Sequence, residues 1–211
     1  MIRLAISTSD SRPSAAVFEG EALLALCAGA DARTHSETIL PLVEQALAKA
    51  DAPVRAVEEF AVDIGPGSFT GVRIGVSLAN AMAAALNKPV VGISSLNALC
   101  FGRAGSVCAL LDCRNGNGYA LHVRDGQIVL PESAIVIAEL LPSLPDGTLF
   151  IGSGAALHRD AILSALPHAR FIDENIVSAE QVGRAAFGKA AAAEALPLYL
   201  RPSQAERLYK G

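Results

Sequence analysis

Residues 65–75 read GPGSFTGVRIG, and this stretch decides how the chain is parsed. It follows an apolar run at 60–64 that predicts a strand. It leads into an Ala-rich helix predicted over about 70–86. A Gly-Pro-Gly turn between strand and helix forces a sharp reversal and leaves backbone N–H groups unshielded at the positive end of the helix. The turn residues Gly65, Pro66, Gly67, Ser68, Thr70 and Gly71 therefore have three readings: an anion or ligand seat, a clamp on a neighbouring chain, or a plain connector. No Gly-Lys-Ser/Thr follows, so this is not a P-loop. The glycines at 65, 67 and 71 are spaced GxGxxxG rather than as the dinucleotide fingerprint GxGxxG.

Working outward, residues 4–7, 14–19 and 22–28 predict three strands, the last two joined by a turn at 18–21. Thr34 and Glu37 match a capping box that opens a helix bearing Ile39, Leu42, Val43, Ala46, Leu47 and Ala50 at helical spacing. Asp51 and Pro53 stop that helix; Asn87 and Pro89 stop the one after the glycine turn, before a strand at 90–93. The first half is thus read as βββαβα. The second half repeats it: strands at 106–112, 119–124 and 127–130, with Asp125-Gly126 as a hairpin turn, a helix at 133–140, a strand at 149–152 and a helix at 155–166. A short strand at 171–172 and a closing helix at 178–195 follow. The expected organisation is a first subdomain at 1–103, a smaller second one at 104–195, and a tail at 196–211.

With 211 residues, 52% apolar and 18% charged, the chain can bury a full core and is not a disordered one. A net charge of −4 argues against a stand-alone nucleic-acid binder. No signal peptide is expected. The apolar segment at 74–86 contains Asn80 and falls short of a bilayer span. Cys27, Cys100, Cys108 and Cys113 form no CxxC pair and no zinc spacing with histidine, so they are expected as reduced thiols in a cytoplasmic protein.

HSETILPLVEQAL (35–47), GPGSFTGVRIGVSLANAMA (65–83) and KPVVGISSLNAL (88–99) resemble, in order, the bacterial TsaB family, also called YeaZ. Leu111-Asp112-Cys113-Arg114 with Tyr119 resembles that family's Asp-x-Arg…Tyr segment, and Pro197 to Arg201 its tail. The resemblance implies an α/β chain with the actin-like, sugar-kinase-like (ASKHA) fold, built of two RNase-H-like subdomains. It implies a non-catalytic partner of the paralogue TsaD, which transfers a threonylcarbamoyl group to an adenosine beside the tRNA anticodon. The small ATPase TsaE would join the pair. Homodimers through related surfaces are implied as well, and tRNA would be met only through the complex.

The residues test the non-catalytic reading separately. Two histidines at i and i+4 on a helix can share a metal, but His35 is followed at that spacing by Ile39. No metal is expected. In the actin-like fold an Asp at the end of the first strand helps hold the nucleotide's metal; here Ser7 stands in that place, and Asp10 could replace it only if the loop rearranged. Ser7, Thr8, Asp112, Gly152 and Gly154 are therefore read as a vestigial nucleotide pocket. No tightly bound cofactor is expected, with ATP or ADP entering only at a partner complex. Ser68 is not a nucleophile elbow, and His122, His158 and His168 have no assignable partners. No catalytic residue is assigned.

The second helix is apolar or small around most of its circumference, so it needs cover on more than one side. The partner seam is expected at His35, Ser36, Ile39, Leu42, Val43, Ala46, Arg73, Ile74, Ser77, Leu78 and Ala81. The tail after Pro202 reads as a short amphipathic helix, either docked or touching tRNA phosphates. The rival readings are an active metallopeptidase-like or sugar-kinase-like enzyme and an autonomous regulatory homodimer. The missing second histidine and the missing Asp at position 7 speak against the enzyme.

Overall fold

The computed structural model describes residues 1–30, 35–173 and 175–201. The expected cap at Thr34 and the tail helix after Pro202 lie outside the described residues. The first half runs β1 (Ile2–Ser7), β2 (Ser14–Glu19), β3 (Ala22–Ala28), α1 (His35–Lys49), β4 (Val57–Asp63), α2 (Phe69–Leu86), β5 (Val90–Ile93) and α3 (Ser95–Cys100). The second runs β6 (Ser106–Asp112), β7 (Asn117–Arg124), β8 (Gln127–Val136), α4 (Ile137–Leu140), β9 (Leu149–Ile151), α5 (Ser153–Leu157), α6 (Arg159–Ala165), β10 (Arg170–Phe171) and α7 (Ala179–Ala185).

Two five-stranded sheets result, ordered β3-β2-β1-β4-β5 and β8-β7-β6-β9-β10. In each, the first three strands form an antiparallel meander. The fourth then pairs parallel to the first, with the fifth outside it. Two RNase-H-like units of one topology thus make up the chain. The first unit is βββαβαβα, one strand and one helix longer than the βββαβα repeat read from sequence, and the second matches it with two helices, α5 and α6, in place of α2.

Strand alternation sets the layers. Successive side chains of a strand point to opposite faces. On β1, Leu4 and Ile6 face α1 and α2, joining Val17, Phe60, Val62, Ile39, Val43, Val72, Val76 and Ala79 in one core. Ala5 faces the other way, with Ala16, Phe18 and Ala61, into a core that runs through to Val107, Ala109, Leu111, Leu121 and Ile151 of the second sheet. Cys108, Leu110, Ala120 and Phe150 form the outermost core under α4, α5 and α6. The order is α1/α2, first sheet, α3/α7, second sheet, α4–α6.

The central layer is exchanged. α3 closes the first unit but packs on β6 and β7, whereas α7 closes the second unit and packs on β1, β2 and β4. Gly183 of α7 sits so close to the Phe18 ring that a Cβ there would collide with it. Its carbonyl accepts from Arg3 Nη1 at 3.3 Å, and Arg3 itself pairs with Glu59 at 2.6 Å and lies 4.0 Å over the Phe187 ring.

Several sequence expectations need correction. Ser94 caps α3 by accepting from the Asn97 N–H, a helix not foreseen. β8 continues to Val136, so the helix expected at 133–140 is only Ile137–Leu140. The helix expected at 155–166 is two helices, parted at His158. The closing helix expected at 178–195 ends at Ala185, and Gly188 turns the chain at φ 70°. The chain then returns along the first half as a strap. Ala192 pairs with Val90 at the sheet edge, the Ala195 peptide exchanges two hydrogen bonds of 2.9 Å with the Asn80 amide, and Leu198 N–H donates to Ile64 O at 2.8 Å. Arg201 reaches the β6–β7 turn, donating to Asn117 Oδ1 at 2.9 Å. Finally, α2 begins at Phe69 rather than 70. With 18 residues it is long and apolar enough to cross a membrane by composition, although its face of Val72, Val76, Ala79 and Ala83 is buried against the first sheet.

Candidate functional site: two strand-end turns and an outward helix face

The C-terminal ends of β1 and β4 meet at a buried carboxylate. Asp63, fully buried, takes donors on both oxygens. Ser95 Oγ donates to Oδ1 at 2.7 Å and Gly65 N–H to the same oxygen at 2.9 Å; Ser9 Oγ makes a short bond to Oδ2, and the Ser7 hydroxyl lies 3.0 Å from Oδ2 and 3.0 Å from Val177 O. Burial pushes the Asp63 carboxyl above the ordinary aspartate range, against the pull of these donors. Ser7 thus does bring no charge to this corner, but a charge-bearing group sits one strand over, closed off under three hydroxyls.

The glycines around it serve close packing. A Cβ on Gly67 would strike the Ser9 carbonyl; one on Gly71 would strike the Thr8 carbonyl and one on Gly75 the Thr8 hydroxyl. Thr8 Oγ1 donates to Gly71 O at 2.7 Å. Ser68 N–H donates to Ser9 O at 2.7 Å and Gly71 N–H to the capping Ser68 Oγ at 3.2 Å, so these donors of the α2 start are met within the chain. The turn's glycines pack on the chain's own 7–9 loop, which is internal packing and not contact with a neighbouring chain.

The second unit's counterpart is more open. Asp112, at the end of β6, accepts from Arg114 N–H at 3.1 Å and lies 3.2 Å from His158 Nε2, with the two side chains 21% and 23% exposed. Gly152 holds φ 104°, and Gly154 passes so near Leu110 that a Cβ would crowd its side chain and carbonyl. Of the five residues of the expected pocket, Ser7 and Thr8 bond into the Asp63 corner and the α2 start, whereas Gly154 lies against Asp112 and Gly152 against Leu110.

The histidines divide by proton count. His35 Nε2 lies 2.7 Å from the Asp10 carbonyl, an acceptor only, so that nitrogen carries a proton and is not a metal ligand. His122, buried and held below the ordinary imidazole range by burial, contacts Ser106 Oγ at 2.8 Å. Thr148 Oγ1 spends its proton on Pro145 O, so Ser106 donates to Thr148 and accepts from His122. That direction is opposite to the one a serine nucleophile needs. His168 is exposed and pairs with Asp146 at 2.6 Å. Among the described residues no group of three or more His, Cys, Asp or Glu is placed to hold a metal.

Of the expected seam residues, Ile39, Leu42, Val43 and Ala46 are 0–6% exposed and point into the chain's own core against β2 and β3. Their helical spacing marked an apolar stripe, but the sheet already covers it. Ile74 and Leu78 are half-buried against the same core, and His35 is half-buried. Ser36, Arg73, Ser77 and Ala81 are exposed. Beside them stand apolar residues that the sequence reading passed over: Leu40 on α1 (46% exposed) and Phe69 (41%). Phe69 and Tyr199 of the strap stack at 5.1 Å, with Arg73 4.0 Å over Phe69 and donating to Tyr199 Oη at 2.9 Å. Leu40 was detectable as an apolar residue on the polar side of its helix; Tyr199 was not, because no local pattern brings residue 199 to residue 73.

The comparisons agree with this architecture. A family model described as TsaD, tRNA N6-adenosine threonylcarbamoyltransferase, matches residues 30–196. The tRNA threonylcarbamoyladenosine biosynthesis protein TsaB of Bacillus subtilis is 31% identical over 182 residues, 82% of this chain and 80% of that one. A crystal structure from Pseudomonas aeruginosa, of an uncharacterized protein with similarity to peptidase YeaZ, superposes with a TM-score of 0.79 at 26% identity, covering 95% of this chain and 99% of that one. The ROK hexokinase of Thermus thermophilus, at 14% identity and a TM-score of 0.51 over 88% of this chain and 97% of that one, shares the fold alone, which is the actin-like, sugar-kinase-like one. By sequence over most of its length and by fold, the chain belongs to the TsaB (YeaZ) family.

Proposed function

We propose that this chain is a non-catalytic subunit in tRNA threonylcarbamoyladenosine biosynthesis, acting in the cytoplasm and holding a TsaD-like catalytic paralogue through the outward face of α1 and α2, with a TsaE-like ATPase joining the pair. The observation that carries the reading is the uncovered face of α2. Arg73, Ser77 and Ala81 line one side of an 18-residue helix, with Leu40 and Phe69 exposed beside it. Small side chains let a second helix approach closely, and about 800 Å² per partner is the usual size of a stable interface. The sealed Asp63 corner and the misdirected Ser106–His122 contact favour a scaffold over an enzyme. A nucleotide would enter only with the partner, so Mg-ATP should bind the isolated chain no tighter than about 10 μM.

The test is a charge on the exposed face, Ser77→Arg or Ala81→Glu. Ile39→Glu is unsuitable, since it would place a charge in the core. Each exposed substitution should leave the melting temperature unchanged. It should weaken the complex with the same organism's TsaD-like protein by about 3 kcal/mol or more, the cost of an unpaired charge at a buried seam. Light scattering after size exclusion reads the complex, and a tRNA modification assay with and without the chain reads its contribution. A complex that survives both substitutions moves the seam elsewhere; modification that ignores the chain removes the scaffold role.

A further inference from the structure

Where the two halves meet, the end of β5, α3, the β7–β8 hairpin and the residues after α7 enclose a cavity of about 580 Å³. Small-molecule sites commonly measure about 300–1,000 Å³ and favour such junctions. The floor is apolar, with Ile93, Val123 and Ala185 all buried. Ser94 and Asn97 on the wall bond to each other and to Glu132, so these side chains are held within the chain. The feature that points to a ligand is the edge of β5 at Gly92. β5 is the outer strand of the first sheet, and its odd-numbered residues bond inward to β4: Pro89 O accepts from Phe60 N–H at 3.0 Å and Ile93 O from Ile64 N–H at 2.9 Å. The even-numbered residues therefore turn their N–H and C=O outward. Val90 does so, exchanging two bonds of 2.8 Å with Ala192 of the strap. Gly92, two residues on, has the same orientation and lies exposed on the cavity. Ala190 would face it if the ladder continued, but the strap bridges only at Val90, and Gly92 and Ala190 both line the cavity instead. Among the described residues, the outward N–H and C=O of Gly92 meet no partner.

A donor and an acceptor side by side on a sheet edge are matched by the C=O and N–H of one extended amino-acid residue. We propose that this cavity binds a small molecule built around one amino-acid residue, acylated on its nitrogen and amidated on its carboxyl. The residue's N–H donates to Gly92 O, its C=O accepts from Gly92 N–H, and its apolar end groups lie over Ile93, Val123 and Ala185. The cavity has the size of a small-molecule site rather than of a seat for a folded partner. Such a ligand would join β5 of the first half to β7 of the second.

The test titrates N-butanoyl-alanine butylamide into the full chain labelled with nitrogen-15 at its 18 glycines, and follows their amide signals by NMR. A matched compound carries a methyl group on the alanine nitrogen, which removes the donor and keeps both apolar arms. The expected result is a saturable downfield movement of the Gly92 amide proton, while that of Gly20, at the turn between β2 and β3, stays in place. The N-methylated compound should bind at least tenfold more weakly. No response, a response that does not saturate, binding that leaves the Gly92 proton unmoved, or equal affinity for the two compounds overturns the proposal.

Discussion

The two halves repeat one strand order, yet they finish their strand ends in opposite ways. In the first, Asp63 is sealed under Ser7, Ser9 and Ser95, and the 7–9 loop lies flat on Gly67, Gly71 and Gly75. In the second, Asp112 and His158 keep about a fifth of their side-chain surface in solvent. The helices differ as well. α1 and α2 have 15 and 18 residues, while α4, α5 and α6 have 4, 5 and 7. A duplicated topology therefore need not duplicate the packing at its strand ends. The first half spends its strand-end residues on internal packing and carries long outward helices; the second has a partly open turn and short helices.

Glycine substitutions would break the comparison most sharply. Gly71→Ala drives a Cβ into the Thr8 carbonyl and is expected to cost about 3 kcal/mol, an overpacking penalty. Gly126→Ala, in the open β7–β8 turn of the second half, meets no atom and should cost only about 1 kcal/mol for its φ of 79°. Urea unfolding of both variants measures the gap, and equal costs would deny that the first turn is the tighter one.

The carboxylates come next. Asp63→Ala takes the acceptor from the Gly65 N–H and from the Ser9 and Ser95 hydroxyls, Ser7 keeping Val177 O, and should cost about 2 kcal/mol, whereas Asp112→Ala, at a partly exposed pair, should cost under about 1 kcal/mol. The Asp63 carboxyl titrates higher folded than unfolded. Between the unfolded value near 3.9 and the folded one, the folded state therefore holds the extra proton, and the group's contribution falls as pH rises through that window. Asp63→Asn should gain on the parent from about pH 4 upward, read by unfolding at several pH values; a constant difference would deny the upward shift.

The strap gives a smaller effect. Asn80→Ala removes both hydrogen bonds to the Ala195 peptide and should cost about 1–2 kcal/mol, with faster amide exchange at residues 192–198. The smallest belongs to the surface of the second half. The Asp146 carboxylate raises the His168 imidazole above its ordinary value, so between the lowered Asp146 value and about pH 6.5 the pair's contribution is complete, and it fades as pH climbs through the raised His168 value. The melting temperatures of His168→Ala and the parent should accordingly converge at alkaline pH.

Local signals in the sequence carried much of this. The meanders, the hairpin turn at Asp125-Gly126 and the helix stop at Asn87 all sit where turn chemistry placed them. Periodicity identified the stripe of α1 correctly but could not say whether a sheet or a partner covers it, because both ask for the same spacing. The Asp63 corner was illegible for a different reason. Its hydroxyl donors are 32 to 56 residues away in sequence and form no motif. The Ala-rich run at 189–195 has high helix propensity, yet Ala192 within it bridges to Val90 at the edge of the first sheet, covering backbone groups there.

The exchanged helices carry a consequence for the order of synthesis. Ala5, Ala16, Phe18 and Ala61 are translated early, but α7, which covers their side of the first sheet, is made only after the whole second sheet. A nascent first half thus carries an uncovered apolar face until α7 is made, and slowing translation before residue 179 should lengthen the period in which chaperones or other nascent chains can reach it.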